Sequence, residues 1–511
     1  MTALLLGLDV GTSLIKAVVF DLDGQEVSAA SRAVAVQAPQ PGWTEQDMEA
    51  VWEAAAVAIR DALAQIAASD VAAVAVAGQG DGAWMIDAQG RPVAPAPLWS
   101  DGRATDAIDR WGASGVLSRL YVRGGTVLWP GSQAALLAWY EEHDPELLRR
   151  VATVFCSKDW IRFRLTDTIG TDETDGSIPF MDLAERTVSA DQLEISGLAA
   201  HAGRLPDVVK SHAVIGGVTP AAAAATGLVV GTPVVAGLLD VAANAIGVGA
   251  IDGGQAMVTL GTTALIAIVL DRPVFEPADI GASVCHAPDG RWMRALGAMA
   301  GTPNLDWYLA TMGEGICAEA EAAELDMYEL LEREVASAAP GAGGVIYHPF
   351  LLGERAPFLE PRARGSFFGL SMATTRADVA RAVYEGIAFA IRHCFESVRQ
   401  PVTEMRLSGG GARSQVWSQI LADVTGATMS VPAGSQFGAL GAAITAGVGI
   451  GLYSDYEMAV RRCIRIERVH RPATERCAIY DERFRLYVDL IDAMQPMWPR
   501  LTSIPFLLSS P

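Results

Sequence analysis

The chain has no CxxC cysteine pairs, no excess of basic charge and no basic stretch at its first residues, and each absence speaks against a class of function. Six cysteines (Cys156, Cys285, Cys317, Cys394, Cys463 and Cys477) are scattered through 511 residues with no CxxC pair. In a chain this long they read as free thiols of a reducing compartment. Basic residues number 38 against 59 acidic ones, a net charge of −21, and only three of the 38 are lysine. The field of such a protein repels nucleic acid and anionic membrane as a whole. It can hold a phosphate compound only through local backbone donors or a metal ion. The first residues, Met1 to Leu6, carry no basic region, so they do not read as a signal peptide. Ala221 to Leu239 is uncharged and long enough to cross a bilayer, but it is rich in Ala, Gly and Thr and is interrupted by Pro233. It reads as a buried βα segment. The expectation is a soluble, cytoplasmic protein with no nucleic-acid or membrane partner.

What is present is apolar mass and a repeat. Hydrophobic residues make up 51% of the chain, enough for two large domains rather than one. Leu8-Asp9-Val10-Gly11-Thr12-Ser13, continuing as Lys16 to Asp21, returns 250 positions later as Thr259-Leu260-Gly261-Thr262-Thr263 and Ile266 to Asp271. Both copies read as strand, Gly-Thr turn, strand, a β-hairpin opening a domain. The offset predicts two similarly built halves; the competing reading is chance likeness of two apolar hairpins. Around them, helical spacing over 47–67, 377–398 and 416–425 alternates with strand-like runs at 71–76 and 405–407. Such alternation predicts an α/β protein, with mixed sheets flanked by helices.

Chemistry concentrates at strand ends. Asp9 stands beside a Gly turn bearing Thr12 and Ser13, where backbone N–H groups can cradle phosphate and a carboxylate can hold magnesium through water. Gly261 and Thr262 repeat that turn, and two such turns facing across a cleft make a better nucleotide site than one. Ser408-Gly409-Gly410-Gly411-Ala412 lies between a strand and a helix starting near Gln415, the arrangement that admits a nucleotide close to the backbone. It is neither a P-loop nor a GxGxxG. Asp240 follows a buried strand just before a helical stretch, so it is either a working carboxylate or a helix cap, roles that do not exclude each other.

These residues together resemble the FGGY family of carbohydrate kinases, over nearly the whole chain. The matching pieces are LGLDVGTSLIKAVVFD, PGWTEQD (41–47), LWSDGRA (98–104), VTLGTT (258–263), LLGERAPF (351–358), the segment 367–392, LSGGGARSQVWSQILADVTG (407–426) and GALGAAITAG (438–447). The resemblance implies two actin-like, ribonuclease H-like ATPase domains with a ligand cleft between them. Residues 1–250 would bind sugar and phosphate, and 251–511 the nucleotide. Gln79-Gly80-Asp81, Leu128-Trp129 and Lys158-Asp159-Trp160 are most similar to the erythritol kinase and L-xylulose (3-keto-L-gulonate) kinase branch. Gly80-Asp81 and Val241 depart from many xylulose kinases beside the expected sugar pocket.

The implied activity is ATP-dependent phosphorylation of a sugar or polyol hydroxyl, with a four- or five-carbon polyol or ketose ranked first. By the same resemblance Asp240 is the catalytic base, and Asp9 with Asp240 positions Mg²⁺. Gly11, Thr12, Ser13 and Lys16 serve ATP from one domain. Gly261, Thr262, Gly410, Gly411, Ala412, Ser414 and Gln415 serve it from the other. Gln79, Asp81, Trp99, Asp101 and Asp240 are the matching sugar positions, though Trp99 also reads as core packing and Asp81 as a turn residue. A homodimer is compatible with this reading. The alternatives are an ATPase switch of the same fold and a non-catalytic sugar sensor.

Overall fold

The computed structural model describes residues 3–503. Leu4–Val10 and Leu14–Phe20 pair antiparallel with Asp9 opposite Lys16, and the Gly11 N–H closes the turn on the Leu14 carbonyl at 3.1 Å. Val71–Gly78 adds parallel on one side of this hairpin and Glu26–Ala33 antiparallel on the other. Val214–Gly217, Pro233–Val235 and the short Leu238–Leu239 complete a seven-stranded sheet. The central strands are apolar on both faces because helices cover both.

The second half repeats this plan. Gln255–Leu260 pairs antiparallel with Ala264–Leu270, Trp292–Ala298 follows antiparallel, and Glu404–Ser408 lies parallel on the other flank. Ala282–Cys285, Thr428–Pro432 and Ile466–His470 complete another seven-stranded sheet. The 250-residue offset is therefore a repeat of topology, not chance likeness between two hairpins.

Helices follow the sequence pattern, with differences at their ends. Met48–Ala62 starts behind Asp47, whose carboxylate accepts the Glu49 and Ala50 N–H groups at 2.9 and 3.1 Å. It stops five residues short of the expected Ala67. The Ile66 N–H turns back to the Leu63 carbonyl, and a 3₁₀ turn at Ala68–Asp70 feeds the strand at Val71. The uncharged run 221–239 divides into the helix Pro220–Thr226 and two strands of the first sheet. Pro233 opens its strand, where a missing N–H is tolerated. Among the described residues no helix is long and apolar enough to cross a membrane.

Two helices lie between the sheets. Asp240–Val248 and Phe437–Gly449 approach so closely that a Cβ on Gly441 would collide with the Ala243 carbonyl, and one on Gly247 with the Phe437 carbonyl. The second of these helices comes from the far half of the sequence, yet it rests on the first sheet, where Gly7 leaves room for the Ala439 carbonyl. One apolar core joins Leu5, Ala75, Ile246, Met257, Val269 and Ile444 across the junction. This pair sets Asp240 and the start of the second helix beside the end of the opening strand.

Candidate active site

A cavity of about 610 Å³ opens between the two domains. Gln79, Asp81, Trp99 and Asp240 line it from the first domain, and Ala295, Gly297 and Arg355 from the second. Four of the five expected sugar residues thus meet in one space. The first turn is tied to them: the Thr12 hydroxyl donates to Gln79 Oε1 at 2.7 Å and accepts from Trp99 Nε1 at 3.1 Å. Gln46 closes the network, donating to the Thr12 carbonyl at 2.7 Å and accepting from Gln79 Nε2 at 3.2 Å. Trp99 is 41% exposed, so the packing alternative for it fails.

The carboxylates differ in what they touch. Asp240 opens its helix, but the cap position is Leu239, and among the described residues the Asp240 carboxylate accepts only the adjacent Val241 N–H at 2.6 Å. Burial, reinforced by Asp9, pushes its pKa up to about 7. Asp9 is raised by burial too, offset in part by Lys16. Asp81 holds a left-handed backbone (φ 57°), which Asp tolerates better than most residues. Its one hydrogen bond is a long one, from the Gln133 N–H at 3.3 Å, and burial pushes its pKa to about 7. Asp101 is different. It holds Arg103 through both oxygens at 2.8 and 2.9 Å and accepts the Thr44 N–H at 2.7 Å, away from the cavity lining.

The expected nucleotide turns sit at the C-terminal ends of two central strands of the second sheet, outside the lining of that cavity. Gly261-Thr262 and Gly409–Gln415 follow neighbouring parallel strands, bridged just below by Thr259 and Ser408 hydroxyls 2.9 Å apart. Gly409 has φ 85°, and a Cβ there would strike the Leu260 carbonyl. A Cβ on Gly410 would meet nothing within 4 Å, so this backbone lies open to a ligand. Ser414 caps the helix Gln415–Thr425 by accepting the Trp417 N–H at 3.0 Å. Ser13 and Thr262 are exposed at the tips of their turns.

A metal has two candidate holders. Asp9 and Asp240 supply the hard oxygen donors that suit magnesium, beside Gly438, where a Cβ would lie 2.9 Å from Asp9 Oδ2. Among the described residues Cys156, Asp159 and Asp175 also cluster closely enough for a metal, but the Lys158 ammonium already bonds both acids.

Sequence reasoning missed several participants. Arg355 reaches the cavity from the LLGERAPF stretch, its Nε donating to the Gly297 carbonyl at 2.8 Å. Trp129 and the segment Asp279 to Ala282 complete the wall. Arg294 anchors that segment from beneath, donating to the Glu276 and Gly125 carbonyls at 3.0 and 2.9 Å. The Ser283 N–H donates to the Gly125 carbonyl at 3.0 Å, so the wall ties the two domains together. Nothing in local spacing marks these contacts; the LLGERAPF motif around Arg355 and the Leu128-Trp129 likeness were the signals, and neither assigned a contact to the cavity.

Comparison with known proteins decides the family. The model of the FGGY family of carbohydrate kinases matches with its N-terminal domain over residues 4–247 and its C-terminal domain over 256–450. The chain belongs to the FGGY family of carbohydrate kinases. It is similar to the L-xylulose/3-keto-L-gulonate kinase of Escherichia coli (strain K12), 31% identical over 98% of this chain and 99% of that one. The erythritol kinase of Brucella abortus (strain 2308) is 31% identical over 98% of both chains. The crystal structure of xylulose kinase from Rhodospirillum rubrum superposes with a TM-score of 0.87 at 28% identity, over 97% of this chain and 99% of that one. This FGGY protein is therefore a carbohydrate kinase with the actin-like ATPase fold, transferring phosphate from ATP to a sugar or polyol. A switch or silent sensor of the same fold is not favoured.

Proposed function

We propose that this kinase phosphorylates a four- or five-carbon polyol or ketose, with Asp240 as the base and Mg²⁺-ATP as donor. The observation that carries the reading is Asp240 in the interdomain cavity, raised by burial to a pKa of about 7 and, among the described residues, without a side-chain partner. Phosphoryl transfer to a hydroxyl requires in-line positioning, charge neutralisation and a proton acceptor. A carboxylate poised near neutral pH accepts that proton efficiently. Gln79 and Asp81 bind sugar hydroxyls and Trp99 offers its face to C–H groups, held in place through Thr12 and Gln46. Asp101 supports this wall through Arg103.

Asp9 and Asp240 would hold the magnesium ion, whose charge neutralises the phosphates when bound. Gly11, Ser13, Lys16, Gly261 and Thr262 attend the phosphates. Gly410, Gly411 and Ala412 line the adenosine pocket, with Ser414 and Gln415 at its edge. The division of labour runs between residues 1–250 and 251–511. The free state of all six cysteines supports a reducing, cytoplasmic setting. The relatives' names, which include L-xylulose, xylulose and erythritol, favour short substrates. A coupled assay of ADP release across polyols and ketoses tests the choice: turnover confined to hexoses would refute it.

A further inference from the structure

Behind the cavity wall lies a fully buried ion cluster that substrate contact does not explain. Lys158 Nζ lies 2.6 Å from Asp159 Oδ1 and 3.1 Å from oxygens of both Asp172 and Asp175, with Arg162 also beside Asp159. Burial alone would lower the Lys158 ammonium, but the three carboxylates hold it above its ordinary range. Removing two cations and three acids from water is expensive and does not by itself make a protein more stable. The cluster has two outward arms. Asp172 Oδ2 accepts the Thr174 hydroxyl at 2.7 Å, and that same hydroxyl accepts the Leu239 N–H at 2.7 Å. Ser157 Oγ donates to the Gln79 carbonyl at 2.8 Å.

Both arms end at the strand tips that carry the site. Leu239 immediately precedes Asp240 and pairs with Gly78, so the two tips lie side by side. Among the described residues Asp240 has no side-chain partner, and its carboxylate direction is therefore set by the backbone at 239–241. Strand pairing with Gly78 and the Asn244 side chain, donating to the Asp240 carbonyl at 2.9 Å, hold that backbone in part. The Leu239 N–H is held by the Thr174 hydroxyl, which Asp172 orients and Lys158 holds in turn.

We propose that Lys158, Asp172 and Thr174 form a positioning brace that aims Asp240 at the attacking hydroxyl, with Ser157 as a second arm fixing Gln79. The brace rests on Asp240 being the base. It predicts that losing the Thr174 hydroxyl lowers kcat through misplacement of Asp240, by about ten- to a hundredfold, without touching ATP affinity. A purely structural cluster predicts lower stability and a rate loss that does not depend on Asp240.

A double-mutant cycle separates these outcomes, since coupled residues are non-additive. Thr174→Val keeps the shape and removes the hydroxyl; Thr174→Ser keeps the hydroxyl. The expected result is low kcat with unchanged KM for ATP in Thr174→Val, near-wild-type kcat in Thr174→Ser, and no further loss from Thr174→Val in an Asp240→Asn background. Ser157→Ala, an independent variant, is expected to raise KM for the sugar more than it lowers kcat. Unchanged kcat in Thr174→Val, or the same fold-loss with Asp240 and with Asn at 240, overturns the brace alone. Near-wild-type turnover in the single Asp240→Asn variant overturns the base assignment and the brace together.

Discussion

Replacing Asp81 by Asn separates substrate recognition from turn-making, because Asn can make the same turn but cannot carry the charge. Asn accepts the left-handed backbone at φ 57° as well as Asp does, so the substitution adds no strain. Burial raises the Asp81 pKa from 3.8 to about 7. The folded state then keeps a proton that the unfolded chain has released between those two values. Stability falls as pH rises across that window, and the penalty is complete above about pH 7. Three pKa units bound it at about 4 kcal/mol, and since an amide is also costly to bury, a gain of about 1–3 kcal/mol is expected for Asn at pH 8. At pH 5 the gain should be smaller. Function should move the other way. A charged hydrogen bond to a sugar hydroxyl contributes about 1.5–3 kcal/mol, so kcat/KM on the best substrate should fall roughly ten- to several-hundredfold with ATP affinity intact. Thermal melts of the ligand-free protein at pH 5 and 8, paired with steady-state kinetics, measure both. A variant that retains kcat/KM on the best substrate would make Asp81 a turn residue and sink the substrate role, and one less stable than wild type at pH 8 would refute the burial penalty.

Two further outcomes concern the candidate metal site. Asp9→Ala should strongly weaken Mg²⁺-ATP binding in calorimetry while leaving metal-free sugar binding little changed; equal nucleotide affinity would remove Asp9 from the metal site. Gly438→Ala would set a methyl 2.9 Å from Asp9 Oδ2, tighter than real Cβ contacts. It should therefore reproduce part of the Asp9→Ala defect in Mg²⁺ dependence, and an unchanged magnesium titration would refute the crowding.

Much of the frame was legible because it is local. The two Gly-Thr hairpins, the helix Arg376–Val398 behind its Thr375–Asp378 capping box, and the Gly-rich turn before Gln415 each announce themselves within a few residues. Periodicity and turn chemistry suffice there. The site was legible as strand ends but not as partnerships. Thr12, assigned to the phosphates, also bonds Gln79 and Trp99, which lie 67 and 87 residues away. The carboxylate of Asp101 is held by Arg103 just two residues on, a pairing that fold-level spacing does not reveal. The small residues of GALGAAITAG hint at a close helix contact, yet only the fold shows that Gly441 meets Ala243 and that the helix rests on the other domain's sheet. Lys158 is one of three lysines in the chain, and its burial among acids arises wholly from tertiary structure.

The central claim, that Asp240 takes the proton from the attacking hydroxyl, is tested most directly by the pH dependence of turnover in wild type and Asp240→Asn. Burial and Asp9 raise the metal-free Asp240 pKa to about 7, and Mg²⁺ bound beside it lowers that value. The wild-type kcat should therefore rise along an acid limb lying below neutrality and level off above it, as the carboxylate becomes free to accept a proton. In Asp240→Asn the rate should fall by roughly 10²–10⁴-fold and the acid limb should vanish, while calorimetry still detects ATP and sugar binding. Near-wild-type turnover in the variant, with the acid limb intact, would contradict the account.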